Sequence, residues 1–188
     1  MTLFLFKQRY DYSEFGQMVE KRLLPKEWRG HWRFSVVDAY GAIIPPREDE
    51  YSLDGLVGQQ VAGTYVASLG APPRWFSEGT ARVVAAKIAP RDQRIAVWDN
   101  TLPAVLGSMK QTDDFLRDRL PAEAADVASF SFVRFLMSDP ARFTTLLAEL
   151  RNGQPFERSF AKIYRASPVQ VTKIWARRAA SQAGRRRR

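Results

Sequence analysis

The sequence predicts an α+β fold in which a small antiparallel sheet precedes a bundle of helices. Short runs rich in β-branched and aromatic residues occur in the first third of the chain, within positions 1–44. From position 53 onward, apolar residues recur with helical spacing, and prolines and glycines divide this part into segments. Because strands and helices are segregated along the chain, alternating βαβ units are not expected.

A strand and a helix are predicted at the start of the chain. Alternating apolar residues favour a strand over Thr2–Phe6. Tyr12 to Leu24 has the spacing of an amphipathic helix, which Pro25 would end. The apolar stripe of this helix consists of Phe15, Val19, Leu23 and Leu24. One strand and one amphipathic helix therefore open the predicted fold.

A β-hairpin is predicted next, in the segment "HWRFSVVDAYGAIIPP". Its strands would be Trp32–Val37 and Ala42–Ile44, which are rich in β-branched and aromatic residues. Gly41 marks the expected turn between them, and a pair of prolines closes the second strand.

The rest of the chain is predicted to be helical. A long helix is expected over 53–69, because Gly70 and a pair of prolines follow it. A second, over 74–87, begins beside Pro73, since proline suits a first helical turn. Asp139 and Ser167 each precede a proline and are typical helix caps. Four later helices are predicted at 126–137, 140–151, 156–165 and 168–179.

Length and composition indicate one packed domain, or one domain with a small helical annex, and a single domain is the default expectation. The chain has 188 residues, of which 45% are hydrophobic. We expect an α/β subdomain at 1–90, a helical subdomain at 91–180 and a basic disordered tail at 181–188. Cysteine is absent, which excludes disulfides, thiolate metal ligands and cysteine nucleophiles.

The positive charge is concentrated at the C-terminus. Seven basic residues and no acidic one follow Thr172, and removing them from the net +9 leaves +2 for the rest. The cluster Arg185, Arg186, Arg187 and Arg188 could bind nucleic acid or an anionic surface through its charges. A disordered, solubilising tail is the commoner meaning of such a cluster.

Neither a membrane span nor a signal peptide is expected. The uncharged run Gly55–Pro73 is short and is interrupted by glutamines, glycines and prolines. The first residues, "MTLFLFKQRYDY", lack a small-residue cleavage site and resemble a strand. A cytoplasmic location is the default expectation.

The segment "PRWFSEGTA" resembles a motif of gluzincin metallopeptidases, the peptidase MA-like families. In their pattern P-x-W-L-S-E-G-x-A, the glutamate is the third zinc ligand and opens the second metal-binding helix. The matching residues here are Pro73, Trp75, Ser77, Glu78, Gly79 and Ala81. Weaker matches at both ends of the chain extend the resemblance over most of its length, and it implies a zincin-like helix pair within 1–90.

The resemblance also implies that the zinc site has been lost. The family carries H-E-x-x-H on the preceding helix, where two imidazoles bind zinc and the glutamate polarises the bound water. Aligned on that motif, this chain has Gln59 and Gly63 at the histidine positions and Gln60 at the position of the base. Together with Glu78, these would be vestigial metal-site positions that bind no metal or cofactor.

Two alternatives remain for the polar residues of this region. Glu78 could be a first-turn acid that the helix dipole favours, with Gln59 and Gln60 on a partly exposed helix face. His31 is the single histidine and is expected to be an ordinary hairpin residue rather than a ligand.

Two functions are expected from these observations. The first is a catalytically inactive peptidase-like protein that binds a peptide or a protein partner in the surviving cleft. The amide of Gln60 cannot take a proton from water, so no peptidase activity by the family mechanism is expected. The alternative is an adaptor that binds nucleic acid or anionic surfaces through the arginine-rich tail.

Overall fold

The computed structural model describes residues 1–35, 37–47, 50–70 and 72–186, with side chains up to position 181. Its N-terminal elements are β1 (Thr2–Leu5), α1 (Arg9–Met18), β2 (Gly30–Phe34), β3 (Ala39–Ile43), α2 (Leu53–Ala67) and α3 (Arg74–Ile88). The later elements are α4 (Gln93–Ser108), a 3-10 turn (Asp114–Arg117), α5 (Ala122–Leu136), α6 (Pro140–Arg151), α7 (Phe156–Tyr164) and α8 (Pro168–Arg186). The fold is α+β, with helices in the majority among the described residues.

The sheet is mixed, so the prediction of an antiparallel sheet was wrong. Its strand order is β1-β3-β2, with β3 in the centre. β2 and β3 pair antiparallel, but β1 and β3 run parallel, with Thr2 opposite Tyr40. The parallel pairing arises because the chain passes through α1 and then β2, which runs opposite to β1, before it reverses again into β3.

The hairpin turn comes between the end of β2 at Phe34 and the start of β3 at Ala39, and not at Gly41, where the sequence placed it. Ser35 and Asp38 exchange backbone hydrogen bonds across the turn, at 2.7 and 3.4 Å. Gly41 lies inside β3 opposite Trp32. A Cβ atom at position 41 would approach the Cβ of Gln60 to 2.9 Å. The glycine is therefore required by the close approach of α2 to the sheet and does not mark a turn.

Helix α1 is shorter than predicted, ending at Met18 instead of Leu24. The chain then turns through Lys21, whose φ of 56° is left-handed, and Leu24 packs back onto Gly16. Leu23 is 79% exposed, so it does not belong to an apolar stripe of the helix. Phe15 does face the sheet, where its ring lies 5.6 Å from that of Tyr40.

Helices α2 and α3 begin and end close to their predicted positions. The side chain of Ser52 caps α2 by accepting a hydrogen bond from the backbone N–H of Gly55. Gly70 has a φ of 82°, a conformation that glycine adopts without strain, and it separates the two helices. The caps predicted for α6 and α8 are formed by Asp139 and Ser167. Local capping chemistry therefore sets these boundaries.

One large apolar core joins the helices from α2 to α8. It contains residues on both sides of position 90, among them Val66, Trp75, Phe132, Phe160 and Trp175. A smaller cluster lies between α1 and the sheet and consists of Tyr12, Leu24, Ala42 and Ile44. The α2–α3 pair is therefore packed on the helical half of the molecule as well as on the sheet.

Helix α8 continues beyond position 179, where its end was predicted, to Arg186. Residues 181–186, expected to belong to a disordered tail, are therefore helical. Arg185 and Arg186 lie in its last turn, and Arg187 and Arg188 lie outside the described residues. Within the described part of the chain, no helix combines the length and hydrophobicity that crossing a membrane requires.

Candidate functional site

A cavity of about 300 Å³ lies between the β2 edge of the sheet and the helices α2, α3 and α5. Strand β2 supplies Gly30, His31 and Trp32 to its wall, and the loop before β2 supplies Arg22 and Trp28. The helical residues of the wall are Gln59, Gln60, Arg74, Glu78, Arg82 and Asp126. Three of the four positions implied by the resemblance, Gln59, Gln60 and Glu78, thus meet at one cavity beside the hairpin.

The two glutamines have different surroundings. The Gln59 side chain points toward α4, and its Oε1 accepts a hydrogen bond of 2.9 Å from Arg94. Gln60 is only 1% exposed, and its Oε1 has no hydrogen-bond partner among the described residues. An unpaired buried amide oxygen costs stability, so a ligand or a water molecule that donates a hydrogen bond to it would be favoured.

Gly63, the fourth position, is covered by the indole of Trp32. A Cβ atom built on Gly63 would lie 2.4 Å from the Trp32 Nε1 atom. Trp32 therefore occupies the space that a side chain at position 63 would need. A histidine at this position could not enter the cavity unless the indole moved.

Glu78 is held by an arginine that lies outside the family motif. Arg82, one turn further along α3, donates to Glu78 at 2.5 Å and to Asp126 of α5 at 2.7 Å. Arg74 donates to the other carboxylate oxygen of Asp126 at 2.8 Å. Burial lowers the pKa of Arg82, but the two carboxylates outweigh this effect and hold it above its usual value.

The start of α3 corrects one expectation about Glu78. Glu78 is not a first-turn acid, because α3 begins at Arg74 and has no acidic residue in its first turn. Its hydrogen-bond donor is the guanidinium of Arg82. The i, i+4 spacing of Glu78 and Arg82 was the signal in the sequence that could have revealed the pair.

The arrangement does not favour metal binding or proton transfer. Among the described residues, no group of three histidine, aspartate or glutamate side chains could hold a metal ion. Both acids in the cavity, Glu78 and Asp126, are paired with guanidinium groups. The residue at the position of the family's base is Gln60, whose amide cannot accept a proton from water. The site can instead offer hydrogen bonds and charge to a bound molecule.

The remaining motif residues position α3 in the core. Pro73 precedes the first turn of the helix, and Ser77 and Ala81 are buried. Trp75 packs against Phe132, with ring centroids 5.3 Å apart. A Cβ atom at Gly79 would approach the backbone oxygen of Ser129 to 2.4 Å. Glu78 faces the cavity while these neighbours face the core.

His31, a residue of the cavity wall, belongs to a buried hydrogen-bond network. Its Nε2 lies 2.8 Å from Glu20 Oε1, and its Nδ1 lies 2.6 Å from the hydroxyl of Tyr12. Burial lowers the pKa of His31 despite the hydrogen bond to Glu20, so the ring is neutral near pH 7. Nε2 then carries the proton and donates to the carboxylate, and Nδ1 accepts from Tyr12.

Glu20 is the centre of this network. It also accepts a hydrogen bond of 2.5 Å from Tyr40 and one of 2.7 Å from Arg22. Burial raises the pKa of Glu20, but the hydrogen bonds from Tyr40, Arg22 and His31 outweigh burial and lower it. Burial and the nearby Glu20 raise the pKa of Tyr40 to about 12. All members are hydrogen-bonded, so the network orders the wall of the cavity.

Comparisons with known proteins give no further guide to this site. No protein-family model matches the chain, and no curated protein or solved structure matches it significantly. The chemistry of the cavity is therefore the basis for assigning a function.

Proposed function

We propose that this protein is a catalytically inactive relative of the gluzincin metallopeptidases that binds a peptide or protein segment in its cavity. The proposal of descent is supported by the residues that resemble the family motif. Glu78 shares the cavity with Gln59 and Gln60, and its motif neighbours Trp75 and Gly79 fix α3 against the core.

The observation that carries the proposal is the location of the cavity at an edge of the sheet. Among the described strands, β2 is terminal and pairs only with β3. Its residues Gly30, His31 and Trp32 form part of the cavity wall. An extended peptide can add to such an edge through main-chain hydrogen bonds while one of its side chains enters the neighbouring pocket.

Lack of catalysis is expected from the same residues. Gln60 has no proton-accepting group, and Arg82 holds Glu78 and Asp126 in ion pairs. We therefore expect no stoichiometric zinc in the purified chain by inductively coupled plasma spectrometry, and no peptidase activity. Stoichiometric zinc that is lost in the variant Glu78→Ala would contradict this part of the proposal.

Peptide binding can be tested with the indole N–H signals of tryptophan as reporters, since the chain has five tryptophans. Peptides are selected from a displayed random library on the immobilised chain and then titrated into ¹⁵N-labelled protein. We expect the indole N–H signals of Trp28 and Trp32, assigned with Trp28→Phe and Trp32→Phe, to shift. Trp175, whose indole donates to Ser131 in the core, serves as the internal control.

The proposed function is contradicted by either of two results. One is that no peptide is enriched on the chain. The other is that the enriched peptides bind but leave the Trp28 and Trp32 signals unchanged, which would place the binding surface elsewhere.

A further inference from the structure

Two arginines at the cavity have guanidinium N–H groups that donate no hydrogen bond to the described residues. The side chains of Arg22 and Arg74 are each 45% exposed. Among the described residues, Arg22 donates a hydrogen bond only through Nε, to Glu20, and Arg74 donates only through Nη2, to Asp126. Two Nη groups of Arg22 and the Nε and Nη1 groups of Arg74 therefore remain available to a ligand. An arginine fork of this kind matches a carboxylate.

The cavity also keeps two acceptors without a partner in the described part of the chain. Gln60 Oε1 is one of them, and Glu78 Oε1 is the other, since Arg82 binds Glu78 through Oε2. A ligand that fills the site must supply acceptors for the arginines and at least one N–H donor. A simple inorganic anion supplies only acceptors.

The third feature of the cavity is its aromatic surface. Trp28 is partly exposed and lies at the rim, with the guanidinium of Arg22 5.7 Å from its ring centroid. Trp32 adds a second indole from β2. Indole faces provide contact area for an apolar side chain. The wall thus offers guanidinium donors, amide and carboxylate acceptors and aromatic surface within one small volume.

We propose that the cavity binds a carboxylate of a bound peptide, with Arg22 and Arg74 as its donors and an adjacent peptide N–H on Gln60 or Glu78. This inference rests on the proposed peptide-binding function and specifies its ligand. A peptide offers such a carboxylate in two places, at its C-terminus and on an aspartate or glutamate side chain. In both, a backbone N–H lies close to the carboxylate.

Three hexapeptide libraries distinguish these sources. In all three, the random positions contain any amino acid except Asp and Glu. The first ends in a free carboxylate, the second in a carboxamide, and the third is a carboxamide with Glu at one fixed position. Each is titrated into ¹⁵N-labelled chain, with the Trp28 and Trp32 indole signals as the measurement. We expect the first or the third library to bind about tenfold or more tightly than the second.

The variant Arg74→Gln then tests the donor directly. Asp126 keeps its ion pair with Arg82 in this variant, so the fold is expected to persist, which thermal unfolding checks. We expect the advantage of the carboxylate library to fall about tenfold, with little change for the carboxamide library. The control is Arg158→Gln, which removes an exposed arginine of α7 that is not part of the cavity wall.

The outcomes separate this inference from the function on which it rests. Binding of the first library alone assigns a C-terminal carboxylate, and binding of the third assigns an acidic side chain. Equal binding of all three libraries, or equal effects of the two arginine variants, overturns the carboxylate assignment while peptide binding stands. If no library moves the indole signals, the peptide-binding function itself is overturned.

Discussion

At the scale of single residues, the contact between Gly63 and Trp32 predicts that a larger side chain at position 63 destabilises the fold. The variant Gly63→Ala places a methyl group against the five-membered ring of the indole, which is rigid and is not the flexible end of a side chain. We expect it to lower the free energy of unfolding by about 1–3 kcal/mol, as overpacking usually does. Chemical denaturation measures this change, and adding Trp32→Ala should remove the part that comes from the clash.

Gly107 provides the matched control. It lies in α4, and a Cβ atom there would meet nothing within 4 Å. Gly107→Ala is therefore expected to stabilise the chain by about 0.5–1 kcal/mol. Equal effects at the two glycines would contradict the role of Trp32. The same contact would hinder the return of both family histidines by Gln59→His with Gly63→His, unless Trp32 is also replaced.

The network around His31 predicts a loss of stability in mild acid. The pKa of His31 in the folded chain lies below its ordinary value of 6.5, so the unfolded chain binds the proton first as pH falls. Stability is therefore fully present above about pH 6.5 and declines below it. Glu20, whose pKa lies below 4.5, adds a second loss at lower pH.

Thermal unfolding between pH 7 and pH 5 tests this prediction. His31 is the only histidine, so no other side chain of this type titrates in that range. The variant His31→Gln should have a flatter dependence of its melting temperature on pH in the same range. An unchanged slope would show that His31 does not link folding to protonation.

At the scale of elements, the boundaries that depend on local chemistry were predictable. Ser167 caps the start of α8, and Pro73 directly precedes α3 because its fixed φ and missing N–H suit the start of a helix. The end of α1 was missed because Leu24 packs back on Gly16, a tertiary contact that helical spacing does not encode. Gly41 was taken for a turn for a similar reason, since its neighbour is Gln60 of another element.

The C-terminal segment tests the alternative adaptor function. Deleting residues 182–188 removes four arginines, and the variant with Arg185–Arg188 changed to Gln removes the same charges at constant length. If the tail carries the affinity, both changes should abolish binding to a fluorescent single-stranded DNA and to anionic vesicles, and also its salt dependence. The melting temperature should change little. Undiminished binding by both variants would exclude the tail as the binding element.

At the scale of the whole molecule, the shared core predicts cooperative unfolding. Trp75 and Phe76 of α3 pack against Phe132 and Phe156, which lie beyond position 90. We expect far-ultraviolet circular dichroism and tryptophan fluorescence to report one coincident transition. A fragment of residues 91–188 should lack a cooperative transition, because these rings would lose their partners. A fragment melting near the temperature of the full chain would instead support two independent subdomains.

The site was predictable only in part, because it joins segments that are distant in the sequence. Gln59, Gln60 and Glu78 were identified from two neighbouring helices and a motif. Arg22 lines the same cavity from the loop before β2, and Asp126 lines it from α5. Contacts between such distant segments are not predicted by any local sequence pattern. Trp32 was assigned to a strand, but its position over Gly63 depends on how α2 crosses the sheet.

The mixed sheet also has a consequence for the order in which the chain folds. The two pairings of β3 close loops of very different length. A short turn joins β3 to β2, whereas the pairing of Thr2 with Tyr40 closes a much longer loop that contains α1. Short hairpins close within about 1–10 μs, and longer loops cost more entropy to close. We expect β1 to join the sheet after the hairpin has formed. Pulsed hydrogen exchange during refolding should then protect the amides shared by β2 and β3 before those of β1, and the reverse order would contradict this sequence of events.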